Sequence, residues 1–262
     1  MSPVPERTAV GGVLPVPPIL VPELATGADG GLDELRGAAV GMLDAVATTA
    51  PLVVVAPGPG LGLAGPGAAG DLAAYGRPRA VVLPGRAPAV EAVGPVLGTA
   101  ARLAALAPAL CVPAVLLGLV AHVPERVSIL TVPADLPAAR AGALAADLVA
   151  QLAAGGVVVA AGDLSARRGA AGNASLRPHP AAAAHDEAVH DRLRRIDLAA
   201  LVASDRARSE EVTATLRAPL AVLAAYLLRS AAPDRLAFHT DYFGAPYGVC
   251  YLAGRFEEGG HA

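Results

Sequence analysis

The run Gly156-Val157-Val158-Val159-Ala160-Ala161 is apolar without polar alternation, and the chain leaves it through Gly162-Asp163-Leu164-Ser165-Ala166-Arg167-Arg168-Gly169. A short Val-rich run closed by Gly-Asp reads as a strand buried on both faces, which requires a parallel sheet covered by helices. In open sheets of that kind ligands sit in the crevice outside the carboxyl ends of the strands. The loop therefore delivers Asp163, Ser165, Arg167 and Arg168 to the expected site. There Asp163 can act as a base, Ser165 can donate a hydrogen bond, and an arginine can hold an anionic substrate. The same residues can also cap a turn or helix, with both arginines solvated.

The rest of the chain repeats the strand and helix alternation. Strands are expected at Thr8 to Val16, Pro51 to Ala56, Arg79 to Leu83, Arg126 to Val132 and Tyr247 to Ala253. Helices are expected at Asp33 to Val46, Pro88 to Leu106, Pro113 to His122 and Pro137 to Ala153, and they dominate from Ala181 to Ser230. Pro57 to Gly76, rich in Gly and Pro, reads as a long flexible loop. The economical architecture is a single α/β domain over residues 1–262, with a mostly parallel central sheet flanked by helices on both faces.

Composition excludes several function classes. All 20 basic residues are arginine, so Schiff-base chemistry and a phosphate-loop lysine are ruled out. Aromatics are 3% of the chain and Trp is absent, which argues against stacking platforms for single-stranded nucleic acid. Cys111 and Cys250 are isolated and read as buried thiols in a reducing cytoplasm. Residues 1–8 lack the charged and apolar regions of a signal peptide. Pro108 and Pro113 interrupt the apolar stretch from Leu103 to Ala121, so no membrane span is expected. The Ala, Arg, Gly and Pro bias suits a high-GC bacterial genome.

Other motifs carry less. Gly60-Leu61-Gly62-Leu63-Ala64-Gly65 fits a dinucleotide fingerprint, but Pro59 and Pro66 bracket it and no helix is expected to follow. His179, His185 and His190 lie near one another in the chain, yet His185 and His190 are five residues apart and point to different sides of a helix. That segment reads as a solvated helix face. His122, near the end of an apolar helix, and His239, in a loop beside Asp241, are candidates for proton transfer, as is Tyr247.

Four segments in order carry a family resemblance: Val13-Leu14-Pro15-Val16-Pro17-Pro18-Ile19-Leu20-Val21-Pro22-Glu23-Leu24, Val53-Val54-Val55-Ala56-Pro57-Gly58-Pro59-Gly60, Gly162-Asp163-Leu164-Ser165-Ala166, and Ala245-Pro246-Tyr247-Gly248-Val249. Together they resemble the LigB-like superfamily of class III extradiol ring-cleavage dioxygenases, in its actinobacterial branch, over nearly the whole chain. The resemblance implies the LigB-like fold shared with the Memo proteins. In catalytic members two histidines and a later glutamate hold a non-haem Fe(II), and a third histidine acts as acid and base. The matching histidine positions here are Val16, Gly58 and Ala166. The glutamate would fall near Leu216 to Ala221, where there is no carboxylate; Glu210 and Glu211 lie upstream. Neither Val nor Gly offers a side-chain donor, so a metal-free protein without a cofactor is expected.

Two functions follow from this reading. One is a degenerate LigB-like protein that binds a small molecule or a partner, with Val16, Pro17, Gly58, Ala166, Arg167 and Arg168 lining the site. The other is an enzyme for an aromatic or polyketide-like substrate, using Asp163, Ser165, His122, His239 or Tyr247 for proton transfer or a rearranged metal site. The expected ligand is small, and aromatic and anionic where an arginine contacts it. Neither nucleic acid nor a membrane is an expected partner, and a homo-oligomer is compatible with the sequence.

Overall fold

The computed structural model describes residues 7–25, 31–46, 50–152, 155–169 and 177–259. Residues 1–6, read above for a targeting signal, and Ala153 lie outside them. The chain builds β1 (Arg7–Leu14), α1 (Gly31–Val46), β2 (Leu52–Pro57), β3 (Gly62–Ala64), β4 (Ala69–Asp71), β5 (Ala80–Val82), β6 (Ala101–Arg102) and α2 (Pro108–Leu117). It continues through β7 (Val127–Val132), α3 (Ala138–Leu152), β8 (Val157–Ala161), α4 (Ala182–Arg194), α5 (Leu198–Val202), α6 (Arg206–Glu211), α7 (Arg217–Ser230), β9 (Leu236–Gly244) and β10 (Tyr251–Gly259).

Eight strands form one sheet in the order β6-β3-β7-β2-β8-β1-β10-β9, and β4 pairs with β5 in a separate ribbon. The centre, β7-β2-β8-β1, is parallel throughout. β10 and β9 add antiparallel strands at one side, and β3 runs antiparallel to β7 at the other. This is the expected α/β class with a mostly parallel sheet.

Alternation along each central strand divides the core in two. Val53, Val55, Val158 and Ala160 face α3, α5 and α7, whereas Leu52, Val54, Val157 and Val159 face α1 and α2. With both faces covered, each fully buried Val or Leu contributes about 1.5–3 kcal/mol. α7 is buried along most of its length, and its Tyr226 hydroxyl donates to the Gly156 carbonyl at 2.7 Å, tying the helix to the start of β8. Among the described residues no helix is long and apolar enough to cross a membrane.

Several local expectations are corrected. Pro88 to Leu106 is not a helix: it holds a short 3-10 turn at Leu97–Thr99 and then β6. Gly94, with φ of 106°, and Pro95 break the helix, and α3 satisfies the freed donors. Asp147 accepts the N–H groups of Val96 and Leu97 at 2.8 and 2.7 Å, and Gln151 accepts that of Glu91 at 2.7 Å. The helix expected at Pro113 to His122 instead starts at Pro108, whose missing N–H is no loss in a first turn, and gives way at Gly118. Residues 57–76, expected as a long loop, contain β3 and β4. The final strand begins at Tyr251, and β9, containing His239, takes the place of an expected loop.

Candidate functional site

β1 is followed by α1 on one face of the sheet, while its neighbour β8 leads toward α4–α7 on the other. Adjacent strands whose connections leave to opposite faces open a crevice between their carboxyl ends. Asp163 and Val16 each lie two residues beyond those ends, and the Val16 N–H donates to Asp163 Oδ1 at 3.0 Å across the gap. The Asp163 backbone is fixed from the other side. Its N–H donates to Thr215 Oγ1 at 2.9 Å, and its carbonyl accepts the N–H groups of Thr215 and Leu216, each at 3.0 Å. Gly162 permits this contact, because a Cβ there would lie 2.7 Å from Leu216 Cα.

Burial raises the Asp163 carboxyl to about 7, and the Val16 N–H opposes that rise. The side chain keeps partial access to water, and among the described residues its second oxygen accepts no hydrogen bond. Tyr251 lies near Asp163, and Tyr242 and Tyr247 gather around Tyr251. The buried Tyr251 hydroxyl is pushed up by burial first and then by the charges of Asp163, Tyr242, Tyr247 and Cys250. Tyr242 and Tyr247 are half-buried. A carboxyl that titrates near neutrality, with Tyr251 near it, can exchange a hydrogen bond or a proton with a phenolic ligand.

The rest of the loop turns into the fold. Ser165 is fully buried, donating its N–H to Asp186 Oδ1 at 2.8 Å and its hydroxyl to Asp186 Oδ2 at 2.6 Å. Arg168 approaches the same carboxylate at 3.6 Å and Glu187 at 3.4 Å, and the Cys250 thiol is pushed up by burial and by Asp186. Arg167 donates to the carbonyls of Arg177 and Glu211, both at 2.8 Å. The Ala166 N–H donates to Val212 O at 3.0 Å. Asp163 is thus the side chain of this loop that reaches across to the β1 end, whereas Ser165, Arg167 and Arg168 are engaged within the fold.

The other sequence candidates are dispersed. Pro17 is buried behind Val16, and Tyr247 lies in the β9–β10 connection on the crevice side. His122 is exposed between α2 and β7, at the opposite end of the sheet. His239 is exposed in β9, 3.3 Å from Asp241, which also binds Arg255. His190 stacks on Phe243 with ring centroids 4.2 Å apart and bonds Thr240 Oγ1 at 2.9 Å. The segment read as a solvated helix face therefore buries Asp186 and half-buries His185 and His190. The Gly60 motif runs into β3, with no helix N-terminus to hold a pyrophosphate.

Gly58 follows β2 and packs on Thr131 of β7, whose hydroxyl donates to Gly60 O at 2.8 Å. A Cβ on Gly58 would lie 2.7 Å from Thr131 Cβ, whereas one on Gly60 meets nothing within 4 Å. Gly58→His is expected to destabilise the fold by about 1–3 kcal/mol through overpacking, and Gly60→His by under about 0.5 kcal/mol, in urea unfolding. Equal losses would show that Thr131 does not restrict this position.

A cavity of about 380 Å³ bounded by Gly58, Leu61, Leu103, Leu110 and Thr131 adjoins this turn. Among the described residues no three His, Cys, Asp or Glu side chains converge as a metal site. Sequence reasoning named Asp186 only as a neighbour of the His179, His185 and His190 cluster and did not single out Thr131, Tyr242 or Tyr251. Only the Phe238, Thr240 and Tyr242 alternation in β9 offered a local signal for the hairpin. Comparison with models of known families and with curated proteins finds no match to this chain.

Proposed function

We propose that the chain is a degenerate LigB-like protein that binds a small phenolic molecule at the carboxyl ends of β1 and β8 without metal. The observation that carries this reading is Asp163, bridged to Val16 across the crevice with its second oxygen accepting no hydrogen bond among the described residues and Tyr251 near it. The Fe(II) implied by the resemblance does not fit the residues present. Val16, Gly58 and Ala166 bring no donor atom, and Thr131 occupies the space a side chain at residue 58 would need. Glu210 and Glu211 are engaged with Arg206 and Arg208 on α6.

A neutral ring is favoured over an anion because Arg167 binds carbonyls and Arg168 binds acids. In this reading the protonated Asp163 carboxyl and a ligand hydroxyl share a hydrogen bond, and the rings of Tyr242 and Tyr247 flank the aromatic body. Calorimetric titration of catechol into chelator-treated protein tests the proposal, with Fe(II) added anaerobically in a parallel arm. Saturable binding in the chelator arm, unchanged by Fe(II) and abolished in Asp163→Leu, is expected. Binding that requires Fe(II), or that Asp163→Leu leaves intact, would overturn the reading.

A further inference from the structure

On the sheet face opposite α1 and α2, the helices α4 to α7 enclose a cavity of about 350 Å³, at the small end of the roughly 300–1,000 Å³ typical of ligand pockets. Ala181 at the N-cap and one stripe of α4 form its wall at helical spacing: Ala181, Ala184, His185, Ala188, Val189 and Arg192. Three of these six are alanines, and that absence of bulk creates the space. Leu164, Leu201, Ala214, Leu216 and Leu220 complete the apolar lining, which includes no Phe, Tyr or Trp. A ring ligand would find no stacking partner here, whereas a flexible aliphatic chain meets branched aliphatic side chains throughout.

Arg192, Arg208 and Arg217 also line the cavity, with Asp205 as the acidic residue of the lining. Asp205 caps α6, accepting the Arg208 N–H at 3.3 Å. Arg208 pairs with Glu211 at 2.9 Å, and Arg217 donates to the carbonyls of Ala134 and Leu136. Arg192 is half-buried and, among the described residues, its guanidinium has neither an ion pair nor a hydrogen bond. A half-buried cation at the wall of an aliphatic cavity calls for an anion attached to an apolar body. Burial first, and then the charges of Arg208 and Arg192, lower His185 against the opposing pull of Asp186 and Asp205, so this wall residue is neutral near pH 7. The positive charge at the cavity is therefore carried by arginine.

We infer that this cavity is a second binding site, distinct from the Asp163 crevice, for an aliphatic monocarboxylate whose chain lies among the leucines and alanines and whose carboxylate binds Arg192. Decanoate is the probe, and 1-decanol presents the same chain without the charge. Calorimetry on the full chain is expected to give one decanoate per protein, with 1-decanol at least about tenfold weaker, as loss of a charge-assisted hydrogen bond implies. Arg192→Gln should weaken decanoate by a similar factor and leave 1-decanol unchanged. Ala188→Trp, at an exposed helix position, fills the cavity and should abolish binding while the circular dichroism spectrum stays that of the parent. Catechol should not compete, which separates this site from the crevice. Failure of decanoate to bind, equal affinity for decanoate and 1-decanol, or undiminished binding by folded Ala188→Trp would overturn the inference.

Discussion

Asp186→Ala is expected to cost about 3–5 kcal/mol, the range for removing one partner of a buried charged pair, and to lower Tm by roughly 6–15 °C. Asp186 is fully buried and accepts both the N–H and the hydroxyl of Ser165, while Arg168 lies 3.6 Å from its Oδ2. Without the carboxylate, the two donors of buried Ser165 lose their acceptor and the Arg168 guanidinium loses a nearby opposite charge. One nitrogen of Arg168, Nη1, is already buried without a hydrogen bond among the described residues and lies 3.6 Å from Asp186 Oδ2. Asp186→Asn retains an acceptor and should cost less, about 1–3 kcal/mol. The cluster clamps residues 163–168, so catechol binding should weaken in both variants. Chemical denaturation checks the order, and a loss under about 1 kcal/mol in Asp186→Ala would show that this carboxylate does not clamp the loop.

The second large effect is on pH dependence. In the unfolded chain Asp163 titrates near the ordinary 3.8, and in the fold near 7. Below pH 4 it is protonated in both states and contributes no pH-dependent penalty. Between about 4 and 7 the unfolded chain ionises while the folded one holds its proton, so stability falls as pH rises. Above about 7 both states are ionised and the full penalty remains. At about 1.4 kcal/mol per tenfold change in proton affinity the limit is about 4 kcal/mol, and partial access to water reduces it to roughly 2–4 kcal/mol. Asp163→Asn keeps an oxygen for the Val16 N–H and has no charge to lose. The variant should match the parent near pH 4 and exceed it by that amount at pH 8, with other titrating groups cancelling in the difference. A difference that does not change with pH would show that Asp163 titrates as an ordinary carboxylate.

How much of this was legible follows from where the signals lie. β2, β7 and β8 are apolar runs bounded by Gly, Pro or charge, and α1 and α3 carry helical periodicity, so local sequence places them. The segment 88–106 defeats local reading because its donors are satisfied by Asp147 and Gln151, some 50–60 residues away. Alanine-rich spacing there imitates a helix. β9 mixes exposed His239 with partly buried neighbours, so its alternation is weak.

At the site, Asp163 could be found because it closes a buried strand. The resemblance sets Val16 in the same site, whereas nothing local signals Thr215 or Tyr251, which come from distant parts of the chain. Asp186 was hidden by position: beside two histidines on a polar helix, nothing local separates a buried acid from a solvated one. Ser165, read as a proton-transfer candidate or a cap, donates to it, and Arg168, read as an anion-binding or solvated group, lies beside it.

The most direct measurement is the carboxyl ¹³Cγ resonance of Asp163, assigned by loss of the signal in Asp163→Asn, followed from pH 4 to 9 with and without catechol in chelator-treated protein. A midpoint near 7 is expected for the free protein, and a displaced midpoint when catechol is bound. A midpoint near 3.8 that catechol leaves unmoved would contradict both the raised carboxyl and its role in binding.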